Sequence, residues 1–223
     1  MQYYPAYLEL RGHPCVVIGG GEIAERKVAA LLDAGARVTV VSPTVTAGLA
    51  ALADTHEIVH HPRPYREGDL AVAWLAFAAT DDDAVHAAVA AEAAEARVFL
   101  NVVDRPPLCS FIVPAIVDRD PVTLAVSTGG ASPALAKRLA RELDTLVGTE
   151  WGLAARVLGA LRGRLRGDAA ARARVFTALA DEPLLAALRT GDPARVDALL
   201  DEHVGSGTTL AGLGIALGAG AAR

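Results

Sequence analysis

Cysteine is scarce: Cys15 and Cys109 are the only two in 223 residues, too few for a disulfide framework or a thiolate metal site. Positive charge is also short. Lys and Arg number 21 against 26 Asp and Glu, a formal net charge of -5, which argues against general nucleic-acid binding, where phosphates must meet a basic excess. Hydrophobic residues make up 52%, but much of this is alanine in helical stretches, and the apolar run after residue 205 is too short and glycine-broken to span a bilayer. The start, Met1-Gln2-Tyr3-Tyr4-Pro5, carries neither a basic segment nor a long apolar one, so a cytoplasmic protein is expected. None of the six histidines stands at a helical metal-ligand spacing with carboxylate partners, so no protein-held metal site is expected, and the histidines, His60 and His61 included, read as surface or loop residues. Walker loops and serine nucleophile elbows are missing too, which removes the commonest NTPase and hydrolase readings.

What is present is a repeating order of strand and helix. Residues 6–10 and 15–18 read as strands, the second a uniformly apolar Cys-Val-Val-Ile run suited to burial on both faces, with Cys15 as a small buried hydrophobe. Three glycines follow. Residues 22–34 keep helical spacing at Ile23, Val28, Leu31 and Leu32, Gly35 is the stop signal, and residues 37–41 form the next strand. Strands at 74–79 and 98–102 flank a helix that opens on Asp81-Asp82-Asp83, while 44–56 and 67–72 are weaker helix candidates. After Pro106-Pro107 the style changes to a hairpin-like unit, 110–117 and 121–127, and then a helix from Ser132 and Pro133 to about residue 146. Beyond residue 147 the pattern is helical only, and residues 205–223 read as a poorly ordered tail. The fold class is therefore α/β: a parallel-sheet domain of Rossmann type, residues 1–113, then a segment 114–147 and a small helical domain, 148–204.

Gly19-Gly20-Gly21-Glu22-Ile23-Ala24 matches G-x-G-x-x-A directly after a strand and at the opening of a helix. In that setting Gly19 permits the tight turn, Gly21 lets a pyrophosphate approach the backbone, and the helix start offers unpaired N–H groups. An ordinary glycine-rich turn is the plainer alternative. The acidic residue that would bind the ribose of NAD is replaced by Ser42, followed by Pro43 and Thr44, and no basic residue stands there to favour NADP. Asp104 ends a strand at the side where such sheets place ligands, yet it also suits a turn before a proline-rich loop. Ser127-Thr128-Gly129-Gly130 is a second glycine turn that feeds a helix bearing Lys137, Arg138 and Arg141, either an anion-holding face or a solvated basic one.

Four motifs in order, Val17-Ile18-Gly19-Gly20-Gly21-Glu22-Ile23-Ala24-Glu25-Arg26-Lys27, Ala78-Ala79-Thr80-Asp81-Asp82, Asn101-Val102-Val103-Asp104 and Ser127-Thr128-Gly129-Gly130-Ala131-Ser132-Pro133, resemble the precorrin-2 dehydrogenase family over roughly residues 1 to 165. The resemblance implies NAD-dependent oxidation of precorrin-2 to sirohydrochlorin and, in bifunctional members, insertion of ferrous iron to give siroheme, with iron or cobalt as a substrate. It implies a homodimer built around residues 114–147. It assigns Asp104 as the proton-handling catalytic group, and places Glu22, Ile23, Pro43 and Thr44 at the NAD site with Thr80 and Val103 close by; from its position alone, Ser42 or Thr44 is a candidate to hydrogen-bond the ribose. Arg105, Arg119, Ser127, Thr128, Lys137, Arg138 and Arg141 become candidates to hold a polycarboxylate substrate. Some members carry a phosphorylated serine where Thr128 stands, and the methyltransferase domain fused to others has no counterpart here. The rival from another class is a non-catalytic NAD-sensing module of the kind that regulates potassium transport, which shares the glycine turn and the Ala-Thr-Asp-Asp strand end.

Overall fold

In the computed structural model, which describes residues 3–217, five short apolar runs pair in parallel. They are β1 (Pro14–Ile18), β2 (Arg37–Val41), β3 (Ile58–His61), β4 (Leu75–Ala78) and β5 (Phe99–Val102), in the order β3-β2-β1-β4-β5. Parallel neighbours need crossovers, and helices α1 (Glu22–Asp33), α2 (Ala47–Asp54) and α3 (Asp83–Ala96) supply them. Alternation along β1 explains why both faces of the sheet are covered. Cys15 and Val17 join one buried cluster with Val28, Val40 and Leu49, while Val16 and Ile18 join another with Leu70, Val89 and Val102. Burial pushes the Cys15 thiol up to about 11, so it stays protonated and apolar in character, as its strand position implied.

The sheet order fixes where a ligand can sit. Chain order reverses between β1 and β4, which lie side by side with Ile18 opposite Ala78, and the carboxyl ends of strands at such a reversal leave a crevice. Loops at the ends of β1, β2, β4 and β5 therefore face one edge.

The chain divides into two compact units, Met1–Val113 and Pro114–Arg223. In the second, strands β6 (Ala115–Arg119) and β7 (Val122–Val126) form an antiparallel hairpin under α4 (Pro133–Leu146), joined by a cluster of Val117, Val126, Ala136 and Ala140. Four helices follow: α5 (Glu150–Arg162), α6 (Ala169–Leu179), α7 (Glu182–Arg189) and α8 (Pro193–Val204), around Val157, Leu161, Leu184, Val196 and Leu200. Asp168, Asp181 and Asp192 cap α6, α7 and α8 by accepting from first-turn N–H groups. At Gly152 of α5 a Cβ would stand 1.7 Å from the Arg119 carbonyl oxygen, so the helix backbone rests directly on the hairpin. Among the described residues no helix is long and apolar enough to cross a membrane.

Several expectations need correction. Residues 6–10 form no strand; four of the five are exposed and only Leu10 reaches the core. Residues 67–72 are turns rather than a helix. His61 is at the surface as expected and His60 is half-buried, both on edge strand β3, whereas His86, read as a surface or loop residue, is buried on α3. Residues 205 to 217 are not a loose tail: Leu210 and Leu213 are buried in the helical core, because the turns after α8 fold back onto it. The rest of that stretch, residues 218 to 223, lies outside the described residues.

Candidate functional site

The three glycines at the end of β1 have different reasons to be glycine. Gly19 has φ +121°, and a Cβ there would stand 2.1 Å from the Ala79 carbonyl oxygen; at Gly20 it would stand 2.0 Å from that of Thr44. Both are required by the turn itself. Gly21 has an ordinary extended backbone, φ −84° and ψ −175°, and a Cβ there would meet nothing within 4 Å. It faces open space at the start of α1, whose first turn has no side-chain cap, so unpaired N–H groups and a positive dipole end look into a cleft that fits a pyrophosphate.

That cleft, about 430 Å³, runs from the glycines to Ser42, Thr44 and Thr46 on one side and Ala79, Thr80 and Asp81 on the other. Ser42 is buried, and its hydroxyl donates to the Thr44 carbonyl at 2.7 Å, so it shapes the turn after β2. Thr46 caps α2 by accepting from Leu49 N–H at 3.2 Å. Pro43 and Thr44 stand exposed at the rim. No Arg or Lys lines this cleft among the described residues.

A second cavity of about 290 Å³ adjoins it, sharing Ala79, Thr80 and Asp81, and is closed by Ile23, His86, Val103, Asp104 and Arg105. The strand end that carries Asp104 is held firmly. Val103 N–H extends the ladder to the Ala78 carbonyl at 2.9 Å. The returning chain is pinned to β5 by Ser110, whose N–H donates to the Leu100 carbonyl at 2.8 Å and whose hydroxyl accepts from Leu100 N–H at 2.7 Å. Cys109 adds a third tie, its sulfur accepting from Val102 N–H at 3.2 Å. Asp104 itself sits in the left-handed region, φ +57°, with an exposed carboxylate that has no hydrogen-bond partner among the described residues. Arg105 beside it donates twice to Asp83, at 2.7 and 3.2 Å, and this guanidinium holds the Asp83 carboxyl below the usual range.

The fold therefore brings the expected site residues Gly19, Gly20, Gly21, Ile23, Ser42, Thr44, Thr80, Val103, Asp104 and Arg105 to two adjoining cavities. Glu22 is exposed in the first turn of α1. Asp81 and His86 were missed as lining residues. His86 lies three residues beyond Asp83 on α3, a same-face spacing visible in the sequence.

In the second unit the expected substrate residues fare unequally. Ser127 and Thr128 build the loop: Ser127 accepts from Gly129 N–H, and the Thr128 hydroxyl bonds both backbone groups of Ser132 at 3.0 Å. Arg119 is a correction. Its guanidinium donates to the Val147 carbonyl at 2.7 Å, the Asp144 carbonyl at 2.6 Å and the Asp144 carboxylate at 2.9 Å, so it closes the carboxyl end of α4, whose last carbonyls lack intrahelical donors. Arg138 pairs with Glu142 at 2.7 Å. Lys137 and Arg141 have no hydrogen-bond or ion-pair partner among the described residues.

Comparison with known proteins settles the relationship. Residues 6–115 match a family described as "Putative NAD(P)-binding", and residues 119–146 match one described as "Sirohaem biosynthesis protein central". Siroheme synthase of Methylococcus capsulatus is 48% identical over 166 residues, which is 74% of this chain and 35% of that protein. Over residues 6–146 the chain is thus similar to siroheme synthases, through an NAD(P)-binding part and a sirohaem-biosynthesis central part. A siroheme synthase of Escherichia coli is 44% identical, again over 74% of this chain and 36% of its own length; the chain thus spans about a third of these curated family members. Among solved structures, a precorrin-2 dehydrogenase, SirC, superposes with TM-score 0.75 and 25% identity, covering 90% of this chain and 98% of its own.

Proposed function

We propose that this chain dehydrogenates precorrin-2 to sirohydrochlorin in siroheme biosynthesis, with NAD as the cofactor. The observation that carries the proposal is the pairing of two adjoining cavities. One is floored by an open glycine at an uncapped helix start, and the other is walled by a free carboxylate on a braced strand end. NAD, when bound, accepts the hydride. The residues supply the rest: Gly21 and the first-turn N–H groups of α1 hold the pyrophosphate, Ile23 and Val103 give the neighbouring, largely polar cavity an apolar wall beside the reacting centre, and Asp104 receives the proton that leaves the macrocycle. Arg105 next to it is the cation that this cavity offers to a substrate carboxylate.

The rival reading, a non-catalytic NAD-sensing module, is not favoured, because the kinship extends through residues 119–146 to a family named for siroheme biosynthesis. Incubation of the purified chain with precorrin-2 and NAD under anaerobic conditions tests the proposal. Sirohydrochlorin and NADH should appear together in equal amounts, and NAD binding without any conversion would sink it. The cytoplasm is the expected compartment, in keeping with two free cysteines.

A homodimer through α4 is part of this reading. Leu135, Leu139 and Leu146 are 58%, 43% and 74% exposed, and at about 100° per residue they share one stripe, while the opposite flank carries Lys137 and Arg141. Ile116 on the outer face of the hairpin adds to the apolar surface. Uncovered leucines in a row call for a partner, and a second copy meets them through the same stripe. The double substitution Leu135→Glu and Leu139→Glu should turn a dimer into a folded monomer in sedimentation velocity; an unchanged dimer would place the interface elsewhere.

A further inference from the structure

His86 lies in the first turns of α3 and lines the second cavity together with Ile23, Val103 and Asp104. Its side chain is 5% exposed, and both ring nitrogens are buried without a hydrogen-bond partner among the described residues. Such atoms lose their water and gain nothing, so a buried imidazole of this kind points to a ligand or an ordered water that completes it. A charge on one side is Asp83, whose Oδ1 lies 3.5 Å from Nδ1. That is longer than an ordinary hydrogen bond, and Asp83 is already engaged by Arg105. Even so, a carboxylate on that side favours the tautomer with the proton on Nδ1, which leaves the lone pair on Nε2.

The direction of a bound dinucleotide follows from the fold. A pyrophosphate on the glycine turn sends the adenosine half toward the end of β2, at Ser42 and Thr44. The other half must then cross Thr80 into the cavity that His86 lines. The nicotinamide brings a carboxamide there, and its N–H groups need an acceptor once water is displaced. Resting on the NAD reading above, we infer that His86 is a cofactor-binding residue that accepts a hydrogen bond from the nicotinamide carboxamide through Nε2, and so fixes which face of the ring is turned to the substrate. The bond would satisfy a nitrogen that the protein alone leaves orphaned.

Calorimetric titration of the purified chain with three ligands tests this: NAD, its acetylpyridine analogue, which has a methyl group in place of the amide nitrogen, and ADP-ribose, which lacks the ring. The wild-type protein should bind NAD about fivefold more tightly than the analogue, the worth of one neutral hydrogen bond. His86→Leu should lose that preference and leave ADP-ribose affinity unchanged. Equal wild-type affinities for NAD and the analogue would overturn the inference, as would a preference that survives in His86→Leu; the histidine would then be completed by water. Loss of ADP-ribose binding in the variant would reveal misfolding, and the wild-type comparison then decides alone. A wild-type protein that binds neither NAD nor ADP-ribose overturns the NAD reading itself, a result distinct from either of the others.

Discussion

Asp104→Asn should cut precorrin-2 turnover by about 10²–10⁴-fold, the usual worth of a positioned acid–base group, with NAD affinity little changed. Asparagine is the informative replacement because the site is left-handed, φ +57°, a conformation that asparagine adopts readily and alanine does not. The backbone, the Ser110 and Cys109 ties and the cavity outline are all retained. What disappears is an acceptor for the departing proton. Steady-state kinetics on the full chain, with NAD binding measured in parallel, separates the two roles. Near-normal turnover would remove Asp104 from the chemistry and return it to service as a turn residue.

A comparable effect on binding is expected at Gly21. Alanine there should fold normally, since φ −84° suits any residue and its Cβ enters empty space. The cost to the fold is limited to a poorer helix start, about 1 kcal/mol or less. NAD affinity should fall roughly 10- to 100-fold, because the methyl group occupies the approach of the pyrophosphate and removes one or two charge-assisted hydrogen bonds. Gly19→Ala is no substitute for this test. Its Cβ would collide with the Ala79 carbonyl, so lost binding would only report a broken turn. Unchanged NAD affinity in a folded Gly21→Ala protein would remove the pyrophosphate from the glycine turn.

The elements that were legible in the sequence are those whose cause is local. β1, the glycine turn and α1 announce themselves through a β-branched run, three glycines and helical spacing, and the strand ends at Ala78 and Val102 follow from short apolar runs beside helix signals. β3 was hidden because Ile58-Val59-His60-His61 is brief and ends in two histidines; pairing with β2 makes it a strand. Site residues divide in the same way. Asp104 stands out by position at a strand end, whereas the fate of Arg119 depends on carbonyls at Asp144 and Val147, far along the chain, and no local pattern separates it from Lys137 or Arg141. His86 was hidden for a similar reason. Its burial comes from the packing of α3 on β4 and β5, and a search for metal-ligand spacing has no means of noticing a histidine whose nitrogens are left unmatched.

The position of Leu210 and Leu213 in the helical core bears on how this protein can be cut and joined. A shortened version that stops at Val204, where the last regular helix ends, would strip two leucines from a packed interior, each removal worth about 2–5 kcal/mol by analogy with leucine-to-alanine changes. An affinity tag or a fused partner attached at that point would fray the domain it was meant to report on. Ile215 and Leu217 also pack against that core, so a joint belongs beyond them, and the glycine-rich residues before Leu213, despite their composition, serve as a clasp and not as a tether.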